Sequence, residues 1–337
     1  MGTLLKAFFT RVNHCSACLP YNLNWRRTPK SVQAFLRANP LVVIDIGARG
    51  GGTGELEGLP KFVNHVGFDA DAEECERLMR APREEYAEFR VYPYYIGSPG
   101  TVDFNLYANR IMSSTYAMNT EYTRAFGDPS EKLDRTVRLQ AVPLDEVAAK
   151  EKLAPPDLLK IDTQGSELDI LRGSTNVLRE TSLIEVEVEF YPMYQGQPVF
   201  SDLDPLLREA GFELLYLNRI FHHRKNFYRG LSKGQVICAD ALYGRSPSRL
   251  QAFSPERLSK YIILLNHYGH RDLANQIYVE HPEAVKVCPG LKDCFPKPPS
   301  LLRTGLVLQL DKLICFLLHL GRSNHVMHDS DRSWPIR

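Results

Sequence analysis

The sequence predicts an α/β protein with a mostly parallel, seven-stranded sheet, helices on both of its faces and a helical extension at the C-terminal end. Three observations carry that prediction. The run Leu41 to Ile46, LVVIDI, is apolar and rich in β-branched residues apart from one carboxylate, as a strand buried on both faces must be. It leads directly into a glycine cluster, Gly47 to Gly54. Beyond that cluster, strand-like and helix-like segments alternate, the pattern of parallel strands joined by crossover helices.

In order along the chain, residues 1 to 30 read as a lead-in, and Ser31 to Ala38 as a helix that stops before Pro40, because the residue preceding a proline avoids helical geometry. After the first strand come a second, HVGFD at 65 to 69, and a helix, Ala72 to Met79. Phe89 to Gly97 and Val102 to Tyr107 read as strands divided by a Ser-Pro-Gly turn. No element is assigned between Tyr107 and Asp157. DLLKID at 157 to 162 is a short buried strand, and Gly165 precedes a helix at Ser166 to Arg172. SLIEVEVEF at 182 to 190 alternates strictly, with Glu185, Glu187 and Glu189 on one side and Ile184, Val186 and Val188 on the other. A helix at Leu203 to Ala210 stops at Gly211, and strands at Phe212 to Leu217 and Gln235 to Leu242 close the sheet.

Past Arg245 the period changes. Ser254-Pro255 is a favourable N-cap and first helical pair, and Leu258, Tyr261, Ile262, Leu265 and Tyr268 recur at helical spacing. A second helix is expected over 271 to 280, then a proline-rich link at 294 to 300, a leucine-rich helix at 301 to 320 and a disordered tail at 321 to 337. The domain reading is therefore 1–30 lead-in, 31–245 sheet domain and 254–320 helical region. The apolar stripes of the last region must be covered by the sheet domain, a second copy of the chain as a homodimer, or a membrane surface. The reading places them outside the reaction site, so a chain ending near Arg245 should keep its ligand affinity.

Forty-one basic residues against forty acidic ones leave a net charge of +1, which supplies no field to draw nucleic acid or an anionic membrane. A small-molecule or neutral acceptor is favoured instead. Seven scattered cysteines repeat no disulfide or zinc spacing, consistent with a reducing cytoplasm; Cys15-Ser-Ala-Cys18 has no strand before it to make a redox motif. The segment MGTLLKAFFTRV lacks the apolar core of a secretory signal, and Asp311 and Lys312 make 301 to 320 a poor transmembrane span.

The chemistry centres on Asp45-Ile-Gly47-Ala48-Arg49-Gly50-Gly51 at the end of the first strand. In open α/β sheets ligands bind beyond the carboxyl ends of the strands, and glycines there let the backbone approach the ligand. Asp45 is placed to accept, directly or through water, from an amine such as that of a methionine moiety, and Asp69, at the end of the second strand, to accept from ribose hydroxyls. Gly47, Ala48 and Gly51 complete the cofactor loop. A dinucleotide fingerprint needs a second glycine where Arg49 stands, so the loop points to a different nucleoside cofactor.

IDIGARGG at 44 to 51, VGFDAD at 66 to 71, LKIDTQGSELDIL at 159 to 171, EVEFYPMYQGQPVF at 187 to 200 and GQVICADALY at 234 to 243 resemble, in this order, the FkbM-type methyltransferases. The resemblance covers about residues 40 to 243. It departs from the family pattern at Arg49, where asparagine is usual, and at Asp69, where glutamate is common. It implies a Rossmann-like class I methyltransferase fold and transfer of a methyl group from S-adenosylmethionine to a hydroxyl of a sugar, glycan, lipid or secondary metabolite. Asp162 is then at the rim where the acceptor enters, as base or as ligand to a divalent ion such as magnesium. Glu187 lines the site on one reading and belongs to a solvated strand face on the other. His222 and His223 offer an alternative base or an exposed basic loop, and Tyr191, Tyr194 and Gln195 either shape the acceptor pocket or pack as a lid. Two rival functions stay open at this point: a nicotinamide-dependent oxidoreductase, and a scaffold that kept the fold without catalysis.

Overall fold

The computed structural model describes residues 28–52, 56, 59–80, 83–127, 132–225 and 234–295, and the backbone of 328–330. Its centre is a sheet of β1 (Leu41–Ile46), β2 (Val63–Phe68), β3 (Glu88–Tyr92), β7 (Leu158–Ile161), β8 (Leu183–Glu189), β9 (Phe212–His222) and β10 (Gln235–Arg245). These seven stand in the order β3-β2-β1-β7-β8-β10-β9, and a short β11 (His328–Ser330) pairs with the outer edge of β9, inside the stretch expected to be a tail. The five strands from β3 to β8 are parallel, whereas β10 runs antiparallel to both β8 and β9. The mostly parallel, Rossmann-like sheet read from the sequence is thus observed. The chain leaves β1 for β2 on one side while β7 lies on the other, so the topological switch point falls between β1 and β7.

The alternation along β8 shows how the sheet is covered. Ile184, Val186 and Val188 face a core shared with Ile44, Ile46 and Leu159, closed by α4 (Leu144–Lys150), α5 (Glu167–Arg172), α6 (Thr175–Glu180) and α7 (Phe200–Glu209). Leu183 faces the other core, with Leu41, Val43, Leu158 and Leu242. That second core is closed by α1 (Lys30–Ala38), α8 (Pro255–His267), α9 (Arg271–Glu280) and α10 (Pro282–Val287).

The expected boundary between 245 and 254 therefore does not exist in the packing. The reason lies in the connection from β1 to β2, whose described part holds only a short turn of 3-10 helix at Pro60–Phe62 where parallel strands usually have a crossover helix. α8 fills the face left bare. Capped by Ser254, whose Oγ accepts from the Arg257 N–H at 3.3 Å, it is buried on nearly every side and not on one stripe alone, from Leu258 through Tyr261, Ile262, Ile263, Leu264 and Leu265. Its stripe is covered by the sheet, so it offers no dimer contact and no membrane face. The leucine-rich segment 301–320 and Cys15 to Cys18 lie outside the described residues.

The sequence reading covers β4 (Tyr95–Ile96) and β5 (Gly100–Tyr107) with its strands at 89–97 and 102–107, but it misses β6 (Leu133–Val142) and with it the separate sheet that the three form in the order β4-β6-β5. It also missed α3 (Thr120–Ala125) and α4. Six of the ten β6 positions are exposed and only Ala141 is buried, so the alternation of Val137, Leu139 and Ala141 with Thr136, Arg138 and Gln140 marks a strand lying largely in solvent. No described helix is long and apolar enough to cross a membrane.

Candidate active site

A cavity of about 540 Å³ opens at the carboxyl ends of β1, β2 and β7, over the switch point. Its floor is backbone. The Gly47 and Ala48 N–H groups donate to the Phe68 carbonyl at 2.9 and 3.0 Å, folding the loop after β1 back onto β2. Gly47 has φ +91°, and a Cβ there would stand 1.9 Å from the Asp162 carbonyl oxygen. Only glycine lets β1 and β7 continue side by side at this point.

Phe68, Tyr95, Ile96 and Phe104 form an apolar wall, wide enough for an aromatic base, and Gly50 leaves open space above its backbone. Asp69 stands beside this wall with its Oδ1 accepting the Asp71 N–H at 2.8 Å. Burial pushes its carboxyl pKa up, while that N–H and the Arg49 guanidinium oppose the rise. Arg49, where the family usually has asparagine, spans Asp71 at 2.7 Å and Asp69 at 3.9 Å. A buried acceptor beside an apolar slot and an open glycine backbone is a fit for a ribose and its base, and the volume suits a nucleoside-sized ligand.

Of the direct and the water-mediated contact expected for Asp45, its position behind the cavity wall suits the indirect one. It is 2% exposed and not among the residues lining the cavity, its Oδ2 lying 3.3 Å from His65 Nε2 and its Oδ1 3.9 Å from Lys160 Nζ. Burial would raise its pKa, but Lys160 and His65 together outweigh burial and hold it below the usual range. Lys160 does line the cavity, so Asp45 acts on it through that ammonium group. Ala48 and Gly51 likewise lie behind the lining; a Cβ on Gly51 would meet Leu78 and Arg83.

Asp162 lines the cavity from the β7 side. Its Oδ1 accepts from Gln164 Nε2 at 3.1 Å, the same nitrogen donates to Glu187 at 2.6 Å, and Gln164 Oε1 accepts from the Tyr194 hydroxyl at 3.1 Å. Gln164 makes these contacts at φ +59°, a conformation unusual for a residue with a side chain. The Glu167 carboxylate pins the loop by accepting from the Thr163 and Gly165 N–H groups at 2.8 and 2.9 Å. Glu187 thus joins the site through Gln164, behind the cavity wall.

The three glutamates of β8 are not a solvated face. The Tyr268 hydroxyl of the C-terminal helices donates to Glu185 at 2.7 Å, Glu187 meets Gln164, and Glu189 is buried opposite Gln197. Burial raises the pKa of Glu187 well above the ordinary value, with the charge of Asp162 adding to it. Glu189 is raised well above too, by burial and by the charges of Glu167 and Asp162, with the Gln197 amide opposing.

A raised folded-state pKa means that the folded chain binds more protons than the unfolded one between the two values, so stability falls as pH rises through that window. Glu189→Gln, which removes the charge and keeps the shape, is expected to raise the melting temperature at pH 8 and to change it much less at pH 5. Equal shifts at both pH values would show that the carboxylate is not held protonated.

The other candidates lie elsewhere. The Tyr122 hydroxyl and His222 Nδ1 are 3.0 Å apart in an aromatic cluster with Phe126 and Tyr191, and neither His222, His223, Tyr191 nor Gln195 lines the cavity. Lys160, Arg110 and Gln164 line it without having been singled out as site residues. Among the described residues no group of three or more His, Cys, Asp or Glu side chains is arranged to hold a metal ion.

Comparison with known proteins follows the same residues. Positions 50–214 match the family described as the methyltransferase FkbM domain. Over 124 residues, 36% of this chain and 49% of the other, the chain is 27% identical to the hexuronic acid methyltransferase AglP of Haloferax volcanii. The chain thus spans about half the length of that curated relative. Among solved structures, methyltransferase FkbM from Methylobacillus flagellatus KT is 14% identical with a TM-score of 0.35, the match covering 61% of this chain and 43% of that one. Magnesium protoporphyrin IX methyltransferase from Synechocystis PCC 6803, with bound SAM, is 11% identical with a TM-score of 0.31, covering 64% and 77%.

Proposed function

Residues 50–214 belong to the methyltransferase FkbM family, and on that premise we propose that the chain transfers a methyl group from S-adenosylmethionine to a hydroxyl of a glycan or related small molecule, with a uronic-acid sugar as the first candidate. The observation that carries this reading is the single cavity that has Asp69 on its β2 side and Asp162 on its β7 side. One carboxylate suits a ribose and the other an acceptor hydroxyl.

Asp69 would hold the ribose, the Phe68 and Ile96 wall the adenine, and Gly47, Gly50 and Lys160 the methionine portion, with Asp45 fixing the Lys160 ammonium from behind. When bound, the cofactor supplies an electrophilic methyl on a positively charged sulfur. Asp162 would orient the acceptor hydroxyl toward that methyl and take up its proton. Its chief part would be to orient the hydroxyl, with the proton taken late. Gln164 and Glu187 hold it in position. Arg110 would supply a cation for an acceptor carboxylate. A divalent ion at Asp162 would need further oxygen ligands from acceptor or water, and activity that survives EDTA assigns the carboxylate its direct part.

Incubation with methyl-labelled S-adenosylmethionine and uronic-acid oligosaccharides is expected to move label into the sugar. Asp69→Ala should weaken adenosylhomocysteine binding, measured by calorimetry, by about 1.5–3 kcal/mol, the range for a hydrogen bond to a charged group. Saturable binding of NAD with none of adenosylhomocysteine would replace this reading with an oxidoreductase.

A further inference from the structure

A second cavity, about 690 Å³, opens at the opposite pole of the sheet. Arg245 at the end of β10 lines it, and β10 pairs there with the start of β8, Gly244 opposite Leu183, so the seven residues of β8, roughly 20 Å of strand, separate it from the carboxyl ends where Asp162 stands. Five arginines line it, Arg172, Arg179, Arg245, Arg249 and Arg257, against two glutamates, Glu180 and Glu209. Leu178 and Phe253 provide an apolar side.

The cations are not matched by the anions present. Arg172 has Asp169 at 3.7 Å and Arg257 has Glu180 at 2.7 Å. Arg245, 5% exposed, spends its donors on neutral carbonyls, those of Leu178, Thr181 and Ala210, and lies over the Phe212 ring; no carboxylate pairs with it among the described residues. Burial, with the charge of Arg257 beside it, lowers its pKa to about 10. Arg257 rests on the Phe253 ring, and its buried Nη2 donates to no acceptor among the described residues. Arg249 is exposed at the mouth, with its stem against Gly211 and no ion pair among the described residues. A buried cation without a counter-charge and a buried guanidinium nitrogen without an acceptor both cost free energy that an incoming anion would recover.

We propose that this cavity is a phosphate-binding site, separate from the methyl-transfer site. Planar guanidinium forks match the oxygens of a phosphate group two at a time, and several converging arginines favour a phosphate over a single carboxylate. Leu178 and Phe253 accommodate an apolar portion attached to the phosphate. Such a group can come from a free phosphoester or from a phospholipid headgroup.

Inorganic pyrophosphate, titrated calorimetrically into the full chain, is expected to bind saturably. Arg249→Ala should weaken it about tenfold, the size of one charge-assisted hydrogen bond, and Glu209→Gln should tighten it. Both positions are exposed, so both variants are expected to melt as the wild type does, and opposite shifts are not a result that general destabilisation produces. Vesicles of phosphatidylcholine with and without phosphatidic acid separate the sources: retention on the acidic vesicles, displaced by pyrophosphate and lost in Arg249→Ala, assigns a headgroup, and pyrophosphate binding without retention assigns a free phosphoester. Pyrophosphate affinity unchanged by either substitution, or no saturable binding, overturns the proposal.

Discussion

A chain ending at Arg245 will not fold. The sequence alone suggests that such a piece would be a complete sheet domain, but it would lack the six large side chains that α8 buries between Leu258 and Leu265. Each contributes about 1.5–3 kcal/mol on burial, and together they match the roughly 5–15 kcal/mol by which an ordinary domain is stable. Two acids would also lose their partners. Asp157, buried under β7, accepts from Lys260 at 3.0 Å, and Glu185 from Tyr268. Burial pushes the Asp157 pKa up, and Lys260 is the main group opposing it. Removing one partner of a buried pair costs about 3–5 kcal/mol. The expected result is aggregation or a non-cooperative melt; a cooperative transition with native-like circular dichroism would show that the two parts are separable after all. In the full chain, Ile262→Ala should cost about 2–5 kcal/mol by urea unfolding.

Asp162→Asn is expected to lower turnover by about 10²–10⁴-fold, the usual contribution of a positioned proton acceptor, with little change in adenosylhomocysteine affinity. Asparagine keeps an oxygen for Gln164 Nε2, so the loop geometry survives and the change isolates the charge. Comparing kcat under saturating cofactor with the calorimetric affinity checks this. Equal losses in both would move Asp162 into the cofactor site, and an unchanged kcat would take the proton elsewhere.

What could be read from the sequence follows burial. β1 and β8 carry unbroken or strictly alternating apolar patterns because both faces of the sheet are packed, and the helices around them have glycine and proline stops. β6 was missed because its alternation is short: Val137, Leu139 and Ala141 make the apolar side, and Arg135 breaks it one step earlier. At the site, the glycine loop, Asp69 and Asp162 were legible because strand ends are where ligands meet an α/β sheet. Lys160 was not, because a lysine inside an apolar run gives no sign that it turns toward Asp45 and the cavity. Gln164 was hidden for another reason: its three contacts depend on a backbone conformation that Gly165, its neighbour, announces only weakly.

The buried α8 also sets the order in which the protein can mature. During synthesis the parallel strands, β8 included, leave the ribosome well before residues 255–267, so Leu41, Val43, Leu158 and Leu183 stay open to solvent on one face of the nascent sheet. Domains usually condense as soon as they emerge, at roughly 5–20 residues per second. This one must wait for α8, several seconds in which a bare apolar surface is available to chaperones or to a neighbouring nascent chain. Folding is therefore completed from the last third of the chain backward, and substitutions in α8 should lower yield in the cell more than they lower the activity of the molecules that do fold.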